Sequence, residues 1–319
     1  MYDSLEDKIL DACRNNSKYL MNLKNVNGLG LGYRYVNNSK TSELCLNVLV
    51  ENKMDMKYLS RNNIIPSYYM GLKTDVIMFK RPKICGEALS NKIRPVEGGY
   101  GISCNNISGT IGCIVTKQIG KRTLYYILSN NHVIAGKNKT PLGSIVIQPS
   151  IKNGGDLKLD KVAILNNFIP IRFKTEKETP INYVDCAIAR LFNPETISDR
   201  IATVGKVKGK AKAVLNQKIK KVGKMTGKTE GEVTIIGAEL LVDVDNDIAL
   251  FSDQVIAKIE SLGGDSGSAV LNEANEIIGL FFAGISQNDK LPYTIGIIND
   301  IDRVLDSFEV KIYQSDKWF

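Results

Sequence analysis

From about residue 106 onward, apolar residues come in short β-prone runs. "GTIGCIVT", "TLYYILSNNHV", "SIVIQPS", "DKVAILNNFIPI", "VDCAIARLF", "KIKKVGKMT", "GEVTIIGAELLV", "DQVIAKI", "GSAVLN" and "EIIGLFFAGIS" follow one another with turn residues between them. Their spacing of roughly 8–15 residues predicts an all-β sandwich or a pair of barrels. One helix is expected in this half, at "NDIDRVLDSF", with Asn299 or Asp300 as its cap.

The first eighty residues have another texture. Leu5, Ile9, Ala12 and Leu20 predict an amphipathic helix over 3–22, capped by Asp3 or Ser4. "GLGLGYRYVNNSKTSELCLNVLVE" alternates on both sides of Asn37-Asn38-Ser39, which predicts a β-hairpin. Its "GLGLG" has the glycines of a phosphate loop, but no helical pattern follows, so it reads as the start of a strand. A short helix around 55–61 and a strand at 74–79 complete a small α/β unit. Residues 81–105 show no periodicity and read as an ordered linker. The expected organisation is an N-terminal α/β domain over 1–80, a linker over 81–105 and a mainly β domain over 106–319.

Composition removes several function classes. No apolar run approaches ~18 residues, so no membrane span is expected. The start, "MYDSLEDKILDACRNN", is charged and lacks the apolar core of a signal peptide, which points to a cytoplasmic protein. The six cysteines, Cys13, Cys45, Cys85, Cys104, Cys113 and Cys186, are scattered and read as free, mostly buried thiols. With a single histidine and no cysteine cluster, no metal site and no cofactor are expected. The net charge is +8, and lysines concentrate at 205–221. No aromatic residue interrupts that run to stack on bases, so it reads as a solvated connector and nucleic acid is not an expected partner. In "DVDNDIAL", Asp243, Asp245 and Asp247 fit the first ligand positions of a calcium loop. Ile248 takes the glycine position and Gln254 the glutamate position, so the segment reads as a polar hairpin turn.

The candidate chemistry lies in the β-rich half. "LGGDSGSAV" holds Ser266 between glycines, where a tight turn can expose a hydroxyl and align consecutive backbone N–H groups. Serine is a poor nucleophile at neutral pH and needs a base, and the base needs an orienting carboxylate. His132, in "LSNNHVIAG", is the only imidazole available. "YVDCAIARL" supplies Asp185, an isolated charge at the start of an apolar run.

The order His132, Asp185, Ser266 resembles that of trypsin-like, chymotrypsin-fold serine proteases. "LSNNHV" is similar to the family's histidine segment, "VDCAIARL" to its aspartate segment, "GGDSGSAV" to its nucleophile turn and "EIIGLFFAG" to the strand bordering the specificity pocket. "KKVGKMTGKTEGEV" and "NVNGLGLGY…ELCLNVLVE" resemble a bacterial branch of that family related to the plant narrow-leaf protein. The resemblance implies a double β-barrel over 106–312 and a serine endopeptidase acting on protein or peptide substrates. It implies an oxyanion hole from the N–H groups of Gly264 and Ser266, and pairing of substrate with Phe282, Ala283 and Gly284. Glu260 falls where the family places the base of its pocket, which implies cleavage after Lys or Arg. Secreted relatives pair the acid before the nucleophile, here Asp265, with a newly cut amino terminus. This chain has ~105 residues ahead of its barrels, so Asp265 needs another partner or the site waits on the N-terminal unit. The rival expectation is a catalytically silent protease fold serving binding or assembly. The N-terminal unit could cap the site, bind a partner or build a homo-oligomer, and no motif in it selects one.

Overall fold

The structure, a computed structural model, describes residues 4–36, 39–54, 56–60, 63–79, 89–245, 247–285 and 295–315. The chain divides into two compact units, Met1–Ile84 and Cys85–Phe319.

In the first unit the expected helix is broken into α1 (Leu5–Asn15) and α2 (Lys18–Met21). Ser4 is the N-cap, its Oγ accepting from the Asp7 N–H at 3.1 Å. The hairpin forms as β1 (Val26–Val36) and β2 (Ser39–Val50), while Asn37 and Asn38 of its turn lie outside the described residues. β3 (Tyr68–Tyr69) and β4 (Leu72–Met78) follow, and the sheet order is β1-β2-β4-β3. Only a single 3₁₀ turn, Met56–Tyr58, stands where a short helix was expected. Because side chains alternate along a strand, Leu46, Val48 and Val50 share one face and bury against Ile9, Ala12 and Leu20 of the helices.

The second unit is nearly all strand. Its first elements are β5 (Val96–Gly98), β6 (Gly101–Cys104), β7 (Ile107–Thr110), β8 (Cys113–Ile119), β9 (Arg122–Ser129), α3 (Asn131–Ile134), β10 (Ile145–Ile147), β11 (Lys161–Phe168), β12 (Ile181–Asn182) and β13 (Ala187–Leu191). Then come β14 (Ile197–Ile201), β15 (Gly205–Lys206), β16 (Lys218–Gly223), β17 (Gly227–Val244), β18 (Asp247–Ile259), β19 (Ala269–Asn272), β20 (Ile277–Ile285), β21 (Ile295–Asp300), α4 (Ile301–Asp306) and β22 (Lys311–Ile312).

Two sheets organise these strands. One runs β22-β8-β9-β13-β11-β10-β6-β7 and wraps a core to which most of its strands contribute, including Ile102, Ile114, Ile127, Val146, Leu165 and Ala187. The other runs β12-β18-β17-β16-β19-β20-β21 and closes through β18–β21 pairing, so it is a barrel of six strands with β12 added outside. Its interior holds Val233, Val255, Val270, Phe281 and Ile298. A third cluster joins the two sheets: Val115, Tyr126 and Leu128 from the first, Val222, Ala269 and Leu280 from the second, and Val304 and Leu305 of α4.

Three expectations change. β5 and β6 fall in the stretch read as linker, yet Val96, Ile102 and Cys104 are buried core. These strands are three and four residues long, too short to show a period. His132 sits on α3, a one-turn helix, and not on a strand end. The lysine-rich connector ends in β16, whose alternation buries Ile219 and Lys221 together. "DVDNDIAL" lies where β17 meets β18, as the hairpin reading expected, with Val244 opposite Asp247; Asn246 lies outside the described residues. Of the cysteines, Cys45, Cys104, Cys113 and Cys186 are buried free thiols and Cys13 is half-buried; Cys85 lies outside the described residues. Burial pushes the Cys113 thiol up to about 12, so it is inert at neutral pH. Among the described residues no helix is long and apolar enough to cross a membrane, and no group of three His, Cys, Asp or Glu is placed to hold a metal.

Candidate active site

The segment after β9 is fastened residue by residue. Ser129 Oγ donates to the Thr110 carbonyl at 2.8 Å, Asn130 Nδ2 to the Asp185 carbonyl at 2.7 Å, and Asn131 Nδ2 to the Ile169 carbonyl at 2.7 Å. These side chains close the chain into α3 and set His132 at the seam between the sheets. The His132 Nδ1 contacts Asp185 Oδ2, and the His132 backbone N–H donates to Asp185 Oδ1 at 3.1 Å. The carboxylate therefore holds both the ring and its backbone, which leaves Nε2 as the outward nitrogen. The imidazole side chain is 23% exposed and the carboxylate 3%.

Asp185 is itself held from behind. Its N–H donates to Asn299 Oδ1 at 2.6 Å, Asn299 Nδ2 donates to Gln254 Oε1 at 3.0 Å, and Gln254 Nε2 donates to the Tyr183 carbonyl at 2.8 Å. Asn299 and Gln254 are fully buried. Asp300, not Asn299, caps α4, its Oδ1 accepting from the Arg303 N–H at 3.1 Å.

Ser266 lies on a turn that only glycine allows. Gly264 has φ +110° and Gly267 φ +96°, values that strain any residue with a Cβ. A Cβ on Gly267 would also stand 2.3 Å from both Ser129 Oγ and the Thr110 carbonyl, so the turn packs directly on the strand leading to His132. Thr110 pins the turn twice, its Oγ1 donating to the Gly264 carbonyl at 2.8 Å and its N–H to the Ser266 carbonyl at 2.9 Å. The Ser266 hydroxyl donates to the Phe282 carbonyl at 3.3 Å. Among the described residues no hydrogen bond joins it to His132, and the N–H groups of Gly264 and Ser266 have no acceptor.

Asp265 has a partner inside the chain. Lys221 Nζ donates to Asp265 Oδ2 at 2.9 Å, and both side chains are fully buried. Thr226 Oγ1 adds a bond to the same oxygen at 2.7 Å, as does the Leu262 N–H at 3.1 Å. The Met225 and Thr226 N–H groups reach Oδ1 at 3.0 and 3.2 Å. Burial works against ionisation here, but the charge and hydrogen bond of Lys221 outweigh it and hold Asp265 below the usual carboxylate range. Burial lowers Lys221, and Asp265 offsets part of that effect. The Lys221 ammonium also lies 5.4 Å from the centre of the Phe281 ring.

The segment expected to meet substrate is on β20. Phe282 is buried against Phe251, ring centres 4.9 Å apart. Ala283 and Gly284 pair with Ile297 and Gly296 on one edge only, because β19 on the other side ends its pairing at Leu280. Among the described residues that leaves a free strand edge next to Phe282, whose carbonyl accepts from the Ser266 hydroxyl. Glu260 is exposed, and its carbonyl accepts from Thr229 Oγ1. The side chain nearest the Gly284 position is Ser261, whose Oγ would stand 2.9 Å from a Cβ there.

Among the described residues the arrangement thus offers a buried carboxylate on an imidazole, a glycine-flanked hydroxyl on a turn packed against the strand leading to that imidazole, two unoccupied N–H donors and an open strand edge. Lys221 and Thr226 lie within "KKVGKMTGKTEGEV", which carried the resemblance but no role for either, and Asn299 and Gln254 carry no motif for theirs. The one signal for Lys221 was the period-2 pattern that puts it on the same face as Ile219.

Residues 252–299, a span holding Ser266 and Phe282, match the family model of peptidase S7, the flavivirus NS3 serine protease. Among solved structures, protease A of Thermobifida fusca is similar over 69% of this chain and 99% of its own, with 17% identity and a TM-score of 0.50. Nocardiopsis protease covers the same shares with 13% identity and a TM-score of 0.50. No curated protein matches the chain in sequence. At these identities the likeness is one of fold, and the fold is that of chymotrypsin-like serine proteases.

Proposed function

We propose that the protein is a serine endopeptidase. The observation that carries this reading is the buried Asp185 carboxylate bound to both the ring and the backbone of His132, with the glycine-flanked turn of Ser266 packed on Ser129 of the strand that leads to that histidine. His132 Nε2 takes the Ser266 proton as the hydroxyl attacks a peptide carbonyl. Asp185 keeps the ring in the tautomer that accepts there and stabilises the imidazolium. The resulting oxyanion enters between the Gly264 and Ser266 N–H groups. Each such donor is worth on the order of 3–4 kcal/mol of transition-state stabilisation. The imidazolium then protonates the leaving amine, and water repeats the sequence on the acyl-enzyme. The acyl half of the substrate adds a strand along Ala283 and Gly284.

In this reading Lys221 gives Asp265 its counter-charge within the intact chain. That supports a nucleophile turn assembled without a newly cut amino terminus and without a signal from the N-terminal unit. One observation favours the silent alternative: the Ser266 hydroxyl bonds the Phe282 carbonyl and not His132. At 3.3 Å that bond is long for O–H···O, and a rotation about the serine side chain frees the hydroxyl. A fluorophosphonate probe decides between the two. Covalent labelling of the wild type that disappears in Ser266→Ala and His132→Ala is the expected result. No labelling of the folded wild type would make this a binding module.

A further inference from the structure

Lys224 lies beside Gly264, one of the two proposed oxyanion donors, and has no partner among the described residues. It is 5% exposed. Its backbone N–H donates to Thr110 Oγ1 at 3.1 Å, but among the described residues its ammonium makes no hydrogen bond and no ion pair. The side chain is laid between two glycines. Its Cδ would stand 3.0 Å from a Cβ on Gly101, and its Cε 2.9 Å from a Cβ on Gly264. Of the charges that reach it, Lys152 repels and Asp265 attracts. Asp265 cannot serve as its counter-ion, because both carboxylate oxygens are already taken by Lys221, Thr226 and three backbone N–H groups. Burial pulls Lys224 below the usual lysine range, and among the described residues only the charge of Asp265 works against that, without a direct bond.

The position of this cation tells what would offset it. The free edge at Ala283 and Gly284 takes the acyl half of a substrate. In the peptidase reading the leaving half lies on the side of Ser266 away from that edge, and the side chains that a Cβ on Gly264 would meet are Met225 and Lys224. Gly264 is one of the two proposed oxyanion donors, so an ammonium whose stem touches it lies within reach of the first residues after the cut. An anion arriving there would meet a charged, desolvated donor with no competing partner.

We propose that Lys224 forms a carboxylate site for the leaving half of the substrate. The site reads an acidic side chain at the first or second residue after the cut, or the free C-terminus of a short leaving peptide, with Lys152 adding to the positive field. The proposal rests on the peptidase reading and deepens it.

Matched peptides test it. One set differs only in Glu against Gln at the first or second position after the cut, with amidated ends. Another ends two residues after the cut as the free acid or the amide. A charge-assisted hydrogen bond in a desolvated site predicts that kcat/KM favours the carboxylate by about tenfold or more in at least one set. The ratio should fall to within about twofold of unity in Lys224→Gln, return in Lys224→Arg and shrink with added salt. A wild-type ratio near unity in every set overturns the proposal. So does a ratio that survives in Lys224→Gln, including the case where all substrates slow equally, which would make Lys224 a general aid to the oxyanion. Equilibrium binding of the same peptides to Ser266→Ala asks the question without turnover. If the wild type cleaves nothing, the peptidase reading fails. The binding preference for carboxylate and its loss in the Lys224→Gln/Ser266→Ala double variant still decide the role of Lys224.

Discussion

Lys221 and Lys224 stand at the two ends of one short stretch, and both are buried, yet among the described residues only Lys221 has a counter-ion. Lys221 is held by hydrogen bonds to Asp265 and Thr226 and lies over the Phe281 ring. Lys224 lies along the nucleophile turn with its ammonium unmatched. A buried charge with a full set of partners fixes a conformation, whereas one without partners is a cost that makes sense when a ligand removes it. The same turn thus carries one lysine that shapes the site and one that waits for what enters it.

The sharpest way to break this contrast is to remove each charge in turn. Lys221→Met keeps most of the volume but strands the Asp265 carboxylate in a site with no exposure. Breaking a buried pair in this way costs about 3–5 kcal/mol. For a unit of this size the thermal midpoint should drop by roughly 6–20 °C. Fluorophosphonate labelling should be lost as well, because the carboxylate that orders the turn has no anchor. Lys224→Met removes an ammonium that has no partner to strand, so its midpoint should move by less than about a third of that drop. Comparable losses in the two variants would mean that Lys224 has a structural counter-ion.

Acid titration sharpens the Lys221 side. Asp265 is depressed in the folded chain, so over the window between its folded and unfolded values the unfolded chain binds more protons. The pair's stabilisation is therefore complete above the unfolded carboxylate value, about 4, and is lost as pH falls through the folded value. Glu43, Asp160 and Glu232, each held low first of all by a hydrogen bond from a lysine, follow the same sign. They are present in wild type and in Lys221→Met/Asp265→Asn alike, so the difference between the two isolates the pair. Urea midpoints from pH 7 to 2 should show a constant difference down to about pH 5 and a shrinking one below about pH 4. A difference independent of pH would mean that folding does not shift Asp265, and a difference that shrinks as pH rises through about 4 would mean that Asp265 is not ionised in the folded chain.

The residues of this contrast were unevenly legible in the sequence. His132, Asp185 and Ser266 could be read because each sits in a local pattern that chemistry constrains: a lone imidazole, a charge heading an apolar run, a serine between glycines. The β-rich class was legible from the spacing of the apolar runs. Lys221 was not, because a lysine in a lysine-rich run looks solvated. Only its place in the alternation of β16 betrays it, and its partner is 44 positions away. Asn299 read as a helix cap, a short-range role, while its actual bond to Asp185 spans 114 positions. Local periodicity carries no information about such pairings, which exist only once the sheets close. β5 and β6 escaped for a related reason: strands of three and four residues are too short to alternate visibly, and their long-range pairing with β14 and β10 makes them strands.

The smallest expected effect belongs to Glu260. Sequence position put its carboxylate at the base of the specificity pocket, which would make it a third charge tuned to the same reaction. In the structure Glu260 is exposed, and it reaches Lys221 only as a minor charge behind Asp265. An exposed carboxylate is screened by water and salt, so removing it should shift stability by no more than about 0.5 kcal/mol. For the same reason Glu260→Gln should change the ratio of kcat/KM for Lys or Arg over a neutral residue before the cut by less than about twofold. Profiling wild type and variant on one peptide library checks this. A drop of about tenfold or more would be the signature of a desolvated pairing. It would put the carboxylate inside the pocket when substrate is bound. Glu260 would then join Lys224 as a second charge that finds its partner only in the complex.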